Sequence, residues 1–95
     1  MSRQHLGQAG TLVTTATAMT DAMAPLVGSD PSRIGLFLLN DTAVVLEVHT
    51  SLASTAAMVK VAAGAYYEVP DQAATVALWG KLASGTGNAN VTVAK

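Results

Sequence analysis

Ser32-Arg33-Ile34-Gly35-Leu36-Phe37-Leu38-Leu39-Asn40-Asp41-Thr42, running on through Ala43-Val44-Val45-Leu46-Glu47-Val48, decides the fold class. Two apolar runs of strand length flank an Asn-Asp pair, and short Asx side chains tolerate the backbone angles of a turn. In the first run Ile34, Leu36 and Leu38 fall on one face and Phe37 and Leu39 on the other. A strand apolar on both faces suits a position covered on both sides, by a second layer or by another subunit. In the second run Val44, Leu46 and Val48 alternate with Val45, Glu47 and His49, as in a half-buried partner strand.

Downstream the same grammar repeats. Met58 to Val61 reads as a short strand with Lys60 facing out, and Ala62-Ala63-Gly64 as a turn. Tyr66 to Val69 is a strand stopped by Pro70-Asp71. Thr75 to Leu82 alternates with Val76, Leu78 and Leu82 inward and Trp79 on the outward side with Lys81. Ser84 to Ala89 is a small-residue turn, and Val91-Thr92-Val93 closes the series. Upstream, Pro25 to Arg33 is punctuation with two prolines, a glycine and a Ser-Asp pair. Thr11 to Met19 is threonine-rich with Leu12 and Val13 as its large apolar residues, which suits an edge strand or a chain-crossing arm. Ala16 to Ala24 has some helix propensity but no apolar stripe, and residues 1–10 carry no periodicity.

Short strands at regular spacing predict an all-β fold, a small antiparallel β-sandwich or barrel of about six to seven short strands with an extended N-terminal arm. The expected division is an arm, edge strand and linker over 1–30 and a sandwich domain over 31–95.

Composition narrows the function. The chain has 95 residues, a formal net charge of -1, 12% charged and 51% apolar residues, and no cysteine. A chain of this length buries a modest share of its surface. Disulfides and thiolate sites are excluded, and two histidines, His5 and His49, are too few for a metal cage. Self-association is the remaining aid to stability. The five cations (Arg3, Arg33, Lys60, Lys81, Lys95) are scattered, so no basic footprint for nucleic acid is visible. No run approaches the roughly 20 apolar residues that span a bilayer.

Reactive chemistry is sparse. Gly85-Thr86-Gly87 begins like a phosphate loop, but Asn90 stands where a third glycine is required and a strand follows. His49 has Asp41, Ser51 and Ser54 nearby in sequence, without a nucleophile elbow around any serine. As a residue on the polar face of a strand end, His49 is expected to be solvated or at an interface. The carboxylates Asp21, Asp30, Asp41, Glu47, Glu68 and Asp71 lack calcium-loop spacing. Tyr66, Tyr67 and Trp79 are three of the four aromatics, and Trp and Tyr are frequent at protein contacts. These readings predict no catalytic residue, no cofactor, no metal and no small-molecule substrate.

From Pro31 to Lys95 the ordered pattern resembles small virion proteins of tailed bacteriophages. The likeness rests on the Ser32-Arg33-Ile34 opening, the apolar run ending in Asn40-Asp41, the Val44 to Val48 strand and Ala62-Ala63-Gly64-Ala65 before Tyr66-Tyr67-Glu68-Val69-Pro70. Val76 to Gly80 and the closing Asn90-Val91-Thr92-Val93 complete it. The resemblance implies a β-sandwich on the outer capsid surface, assembled in the host cytoplasm. Its leading implication is a capsid decoration (cement) protein, a homotrimer clamping adjacent subunits of the major capsid protein. The alternative is a head-fibre or tail module that binds a host surface glycan or protein. Expected interface residues are Thr11, Leu12, Val13, Thr15 and Thr17 as the arm, Ile34, Phe37 and Leu39 as core or subunit contact, and Tyr66 and Trp79 as anchors.

Overall fold

The structure, a computed structural model, describes residues 11–95; the part of the expected arm that falls on residues 1–10 lies outside them. Eight strands follow one another: β1 (Leu12–Thr20), β2 (Ala24–Val27), β3 (Gly35–Asp41), β4 (Leu46–His49), β5 (Val59–Val61), β6 (Tyr66–Glu68), β7 (Leu78–Leu82) and β8 (Thr86–Ala94). A 3-10 turn at Asp71–Ala73 stands before β7. Among the described residues no helix is long and apolar enough to cross a membrane.

The strands form two antiparallel sheets, ordered β1-β8-β3-β6 and β2-β7-β4-β5. The pairs β4–β5, β3–β6, β2–β7 and β1–β8 nest inside one another, like one long hairpin rolled up so that alternate pairs fall in opposite sheets. That is the topology of an eight-stranded jelly roll. The all-β sandwich is therefore present, with β1 and β2 supplying one edge strand to each sheet.

Alternation places the core. Leu36 and Leu38 of β3 meet Leu46 and Val48 of β4 and Leu78 and Leu82 of β7 between the layers, all fully or nearly fully buried. Met19 and Leu26 close the side next to Gly80, where a Cβ would lie 2.8 Å from Leu26 Cδ1 and 3.1 Å from Met19 Cε. Gly80 is a core position without a side chain because its neighbours already fill that volume.

Several local expectations change. Ala24–Val27, which overlaps the start of the Pro25 to Arg33 punctuation, is a strand; Pro25 is tolerated on an edge, and the ladder shifts register between Pro25 and Val27. The expected Ser84 to Ala89 turn contributes its last four residues, Thr86 to Ala89, to β8, which lies between β1 and β3 and so has backbone partners on both sides. Only Ala83 to Gly85 remains as the turn, with Gly85 at φ 72. Asn40 belongs to β3 and points into the interior, so the turn begins after Asp41. Val76, expected inward, is exposed ahead of β7. Among the described residues no second layer covers the outer face of β3: Phe37 is half-buried and Leu39 exposed.

Candidate functional site

Three regions hold the exposed apolar residues and the polar clusters. The first is the outer face of the β1-β8-β3-β6 sheet. Register places Thr14, Thr92 and Phe37 in one row across β1, β8 and β3, with Ala16, Asn90, Leu39 and Tyr66 in the next. The Phe37 and Tyr66 rings stack at 6.1 Å with 13° between planes, and Thr14 and Thr92 join their hydroxyls at 2.7 Å. Leu12 is 67% exposed, Tyr66 61% and Leu39 37%. The result is a surface of apolar and small polar groups, with Glu68 and Asp41 as its carboxylates.

Among the described residues β1 is the outermost strand of that sheet, and its edge adds backbone groups. Thr11 N donates to Lys95 O at 2.8 Å and Lys95 N to Thr11 O at 3.1 Å, so this pair exchanges both bonds. Antiparallel pairing alternates bonded and non-bonded pairs. Val13, Thr15, Thr17 and Met19 therefore bond to β8, while the N–H and C=O groups of Leu12, Thr14, Ala16, Ala18 and Thr20 point away from it.

The opposite outer face belongs to the β2-β7-β4-β5 sheet. Glu47 sits between Lys60 and Lys81 on neighbouring strands, and Trp79 between Pro25 and His49. His49 is 2% exposed, which corrects the expected solvated position. The loop after β4 returns over it: Nδ1 lies 3.1 Å from Ser54 Oγ and Nε2 3.0 Å from Glu47 Oε1. Ser54 in turn donates its hydroxyl to the Ala56 carbonyl at 2.8 Å. The hydrogen bond from His49 holds the Glu47 carboxyl below the usual carboxylate range, against a desolvation that pushes it up. Serine, histidine and carboxylate occur here in the order of an acyl-transfer triad, but Ser54 directs its proton at a carbonyl. The arrangement ties the 50–57 loop down onto β4.

The third region is a cleft of about 430 Å³ at one end of the sandwich, where β1 and β8 run past the end of β2. Val13, Thr15, Val27 and Val93 line it together with Arg33, Asp30 and Lys95. Arg33 is 4% exposed, and its guanidinium donates to three carbonyls: Nε to Ala74 at 2.7 Å, Nη1 to Gly28 at 2.6 Å and Nη2 to Val76 at 2.8 Å. Asp30 pairs with Lys95 at 2.6 Å, and that contact, with the bonds from Ser32, holds its carboxyl far below the ordinary range. Among the described residues no group of three or more His, Cys, Asp or Glu side chains could hold a metal.

The ten expected interface residues divide among these regions. Leu12, Phe37, Leu39 and Tyr66 share the outer face of the first sheet, and Thr11, Val13 and Thr15 line the cleft. Thr17 follows on β1, half-buried; Ile34 lies exposed just before β3; Trp79 is on the opposite sheet, half-buried. Glu47 was not read as His49's partner, although two residues apart on one strand means the same face. The hubs at Arg33 and Asn40 carried no sequence signal beyond residue type, because two of the three acceptors of each are distant, 41 and 43 residues away for Arg33 and 21 and 22 for Asn40. Compared with known proteins, the chain matches no family model, no curated protein and no solved structure.

Proposed function

We propose that this chain is a structural protein of a tailed-phage particle, a capsid decoration protein that self-associates and bridges adjacent subunits of the major capsid protein. The observation that carries the reading is the uncovered outer face of the first sheet, where Leu12, Leu39 and Tyr66 stay exposed beside Phe37. Contiguous exposed apolar groups on a small domain mark an interaction surface. The jelly-roll topology is compatible, being one that capsid domains use, and the strand-and-turn pattern over 31–95 supplies the resemblance to phage virion proteins. Topology alone does not assign function.

In this reading the protein binds only the assembled lattice, so its binding free energy stabilises the shell and not the free subunits. Apolar area removed from water contributes about 25 cal/mol per Å² at each contact. The role is non-catalytic, supported by a Ser54 hydroxyl engaged with the Ala56 carbonyl. Quantitative mass spectrometry of purified particles is the test. A fixed lattice ratio to the major capsid protein is the expected result, and absence from the particle would overturn the proposal.

A second reading, a head-fibre or tail module that binds a host surface, is favoured by the 50–57 loop. That loop is pinned through Ser54 to His49 yet presents Leu52 at 62% exposure. Binding and catalytic residues often sit on loops held by a rigid scaffold. A few copies per particle, with free protein blocking adsorption to host cells, would select this reading.

A further inference from the structure

Among the described residues four strands form the edges of the two sheets, and three of them are blunted. β2 carries Pro25 and a register shift, β5 is three residues long with Lys60 at its centre, and β6 is three residues long and ends in Glu68. β1 has none of these devices. It is nine residues without charge or proline (LVTTATAMT), and it pairs with β8 through nine successive partners without a shift. Such an edge is a template for another strand, and natural sheets ordinarily protect it.

We propose that β1 pairs antiparallel with β1 of a second copy about a two-fold axis at Ala16, joining the two first sheets into one continuous sheet. The register follows from the backbone. The groups of Leu12, Thr14, Ala16, Ala18 and Thr20 point outward, and a symmetric pairing must set outward groups against outward groups. Only an axis at Ala16, the midpoint of Leu12–Thr20, uses the whole strand. Ala16 then faces the partner's Ala16, Thr14 the partner's Ala18, and Leu12 the partner's Thr20.

The strand is complementary to itself for three reasons. No charge repels its own copy, and the residue on the axis is small. Leu12, exposed in the single chain, gains a neighbour across the ladder. A two-fold contact of one patch with itself is also the commonest symmetric association. The inference concerns how copies meet: it puts a two-fold pair in place of the expected homotrimer, and it stands whether or not the protein belongs to a shell.

The test is the mass of the full chain in solution by native mass spectrometry and light scattering, for wild type, Ala16→Pro and Ala16→Lys. The Ala16 N–H points away from β8, so proline there removes the bond at the axis without removing one inside the sheet. Ala16→Lys leaves the backbone intact and sets two ammonium-bearing residues about 5.5 Å apart at Cα across the axis. The expected result is a dimer for wild type and half that mass for each variant that keeps the wild-type circular dichroism spectrum. A monomeric wild type, a trimeric wild type, or an Ala16→Lys protein that stays dimeric would overturn the pairing. Copy counting on the particle tests the functional reading separately.

Discussion

Arg33 donates from Nε to the carbonyl of Ala74 at 2.7 Å, joining two segments 41 residues apart. With the bonds to Gly28 and Val76, one buried guanidinium fastens the β2–β3 connection to the segment leading into β7. Removing it leaves three carbonyls that had a charged donor. Arg33→Ala is expected to lower unfolding stability by about 3 kcal/mol in urea titrations. Arg33→Lys recovers little, since one ammonium cannot reproduce the planar fork that reaches three acceptors.

Asn40 performs the equivalent task at the other end. Its Nδ2 donates to the carbonyls of Val44 at 2.7 Å, Val61 at 2.9 Å and Ala62 at 3.1 Å, and its Oδ1 accepts from Thr42 at 2.6 Å. Asn40→Asp has nearly the same shape but sets an acceptor against three acceptors. It is expected to cost at least about 2 kcal/mol at neutral pH. Part of that loss should return on acidification, because a protonated carboxyl regains one donor. Denaturant midpoints at neutral and acidic pH measure both effects.

Glu47 makes stability depend on pH in a set direction. Its carboxyl is held low in the folded state, chiefly by the His49 hydrogen bond. Its contribution is complete above the unfolded carboxylate value, about 4.3, and is lost as pH falls through the lower folded value. Asp30, held low by Lys95, acts in the same sense. Glu47→Gln should flatten the acid limb of a melting-temperature profile while Asp30 preserves part of it. An unchanged limb would refute the coupling.

Gly80 reports on core filling. A methyl group there meets Leu26 Cδ1 at 2.8 Å and Met19 Cε at 3.1 Å, both at the ends of flexible side chains. Gly80→Ala is expected to cost about 1–3 kcal/mol. In a Leu26→Ala background the same substitution should cost less, and a double-mutant cycle on unfolding free energy measures the coupling.

Tyr66 separates folding from assembly. It is largely exposed and contacts Phe37 through a single ring stack. Tyr66→Ala should reduce stability by about 1 kcal/mol or less. The same variant should bind capsid shells more weakly in co-sedimentation if the outer face is the contact surface.

Strand content and facing were legible in the sequence inside the strands, where apolar residues alternated, but not at Ile34 and Val76, which stand exposed just ahead of β3 and β7. Leu36, Leu38, Leu46, Val48, Leu78 and Leu82 all point inward because alternate side chains of a strand must face opposite sides. Trp79 and Lys81 lie outward for the same reason. Turn chemistry around Asn40-Asp41 located the end of β3 to within a residue or two, and the absence of cysteine was settled by composition alone.

Tertiary pairing decided the rest. β8 extends through Thr86-Gly87-Asn88-Ala89-Asn90, a run with weak strand propensity, because β1 and β3 supply backbone partners on both sides. Asn40 became a buried hub, and not merely a turn former, because Val61 and Ala62 return to it. His49 was buried by a loop that folds back to place Ser54 against its ring. Among the described residues the edge position of β1 likewise exists only because the rolled topology leaves it last in its sheet. Local alternation states which face of a strand is dry; which strand lies alongside is set by hydrogen bonds and packing between distant segments.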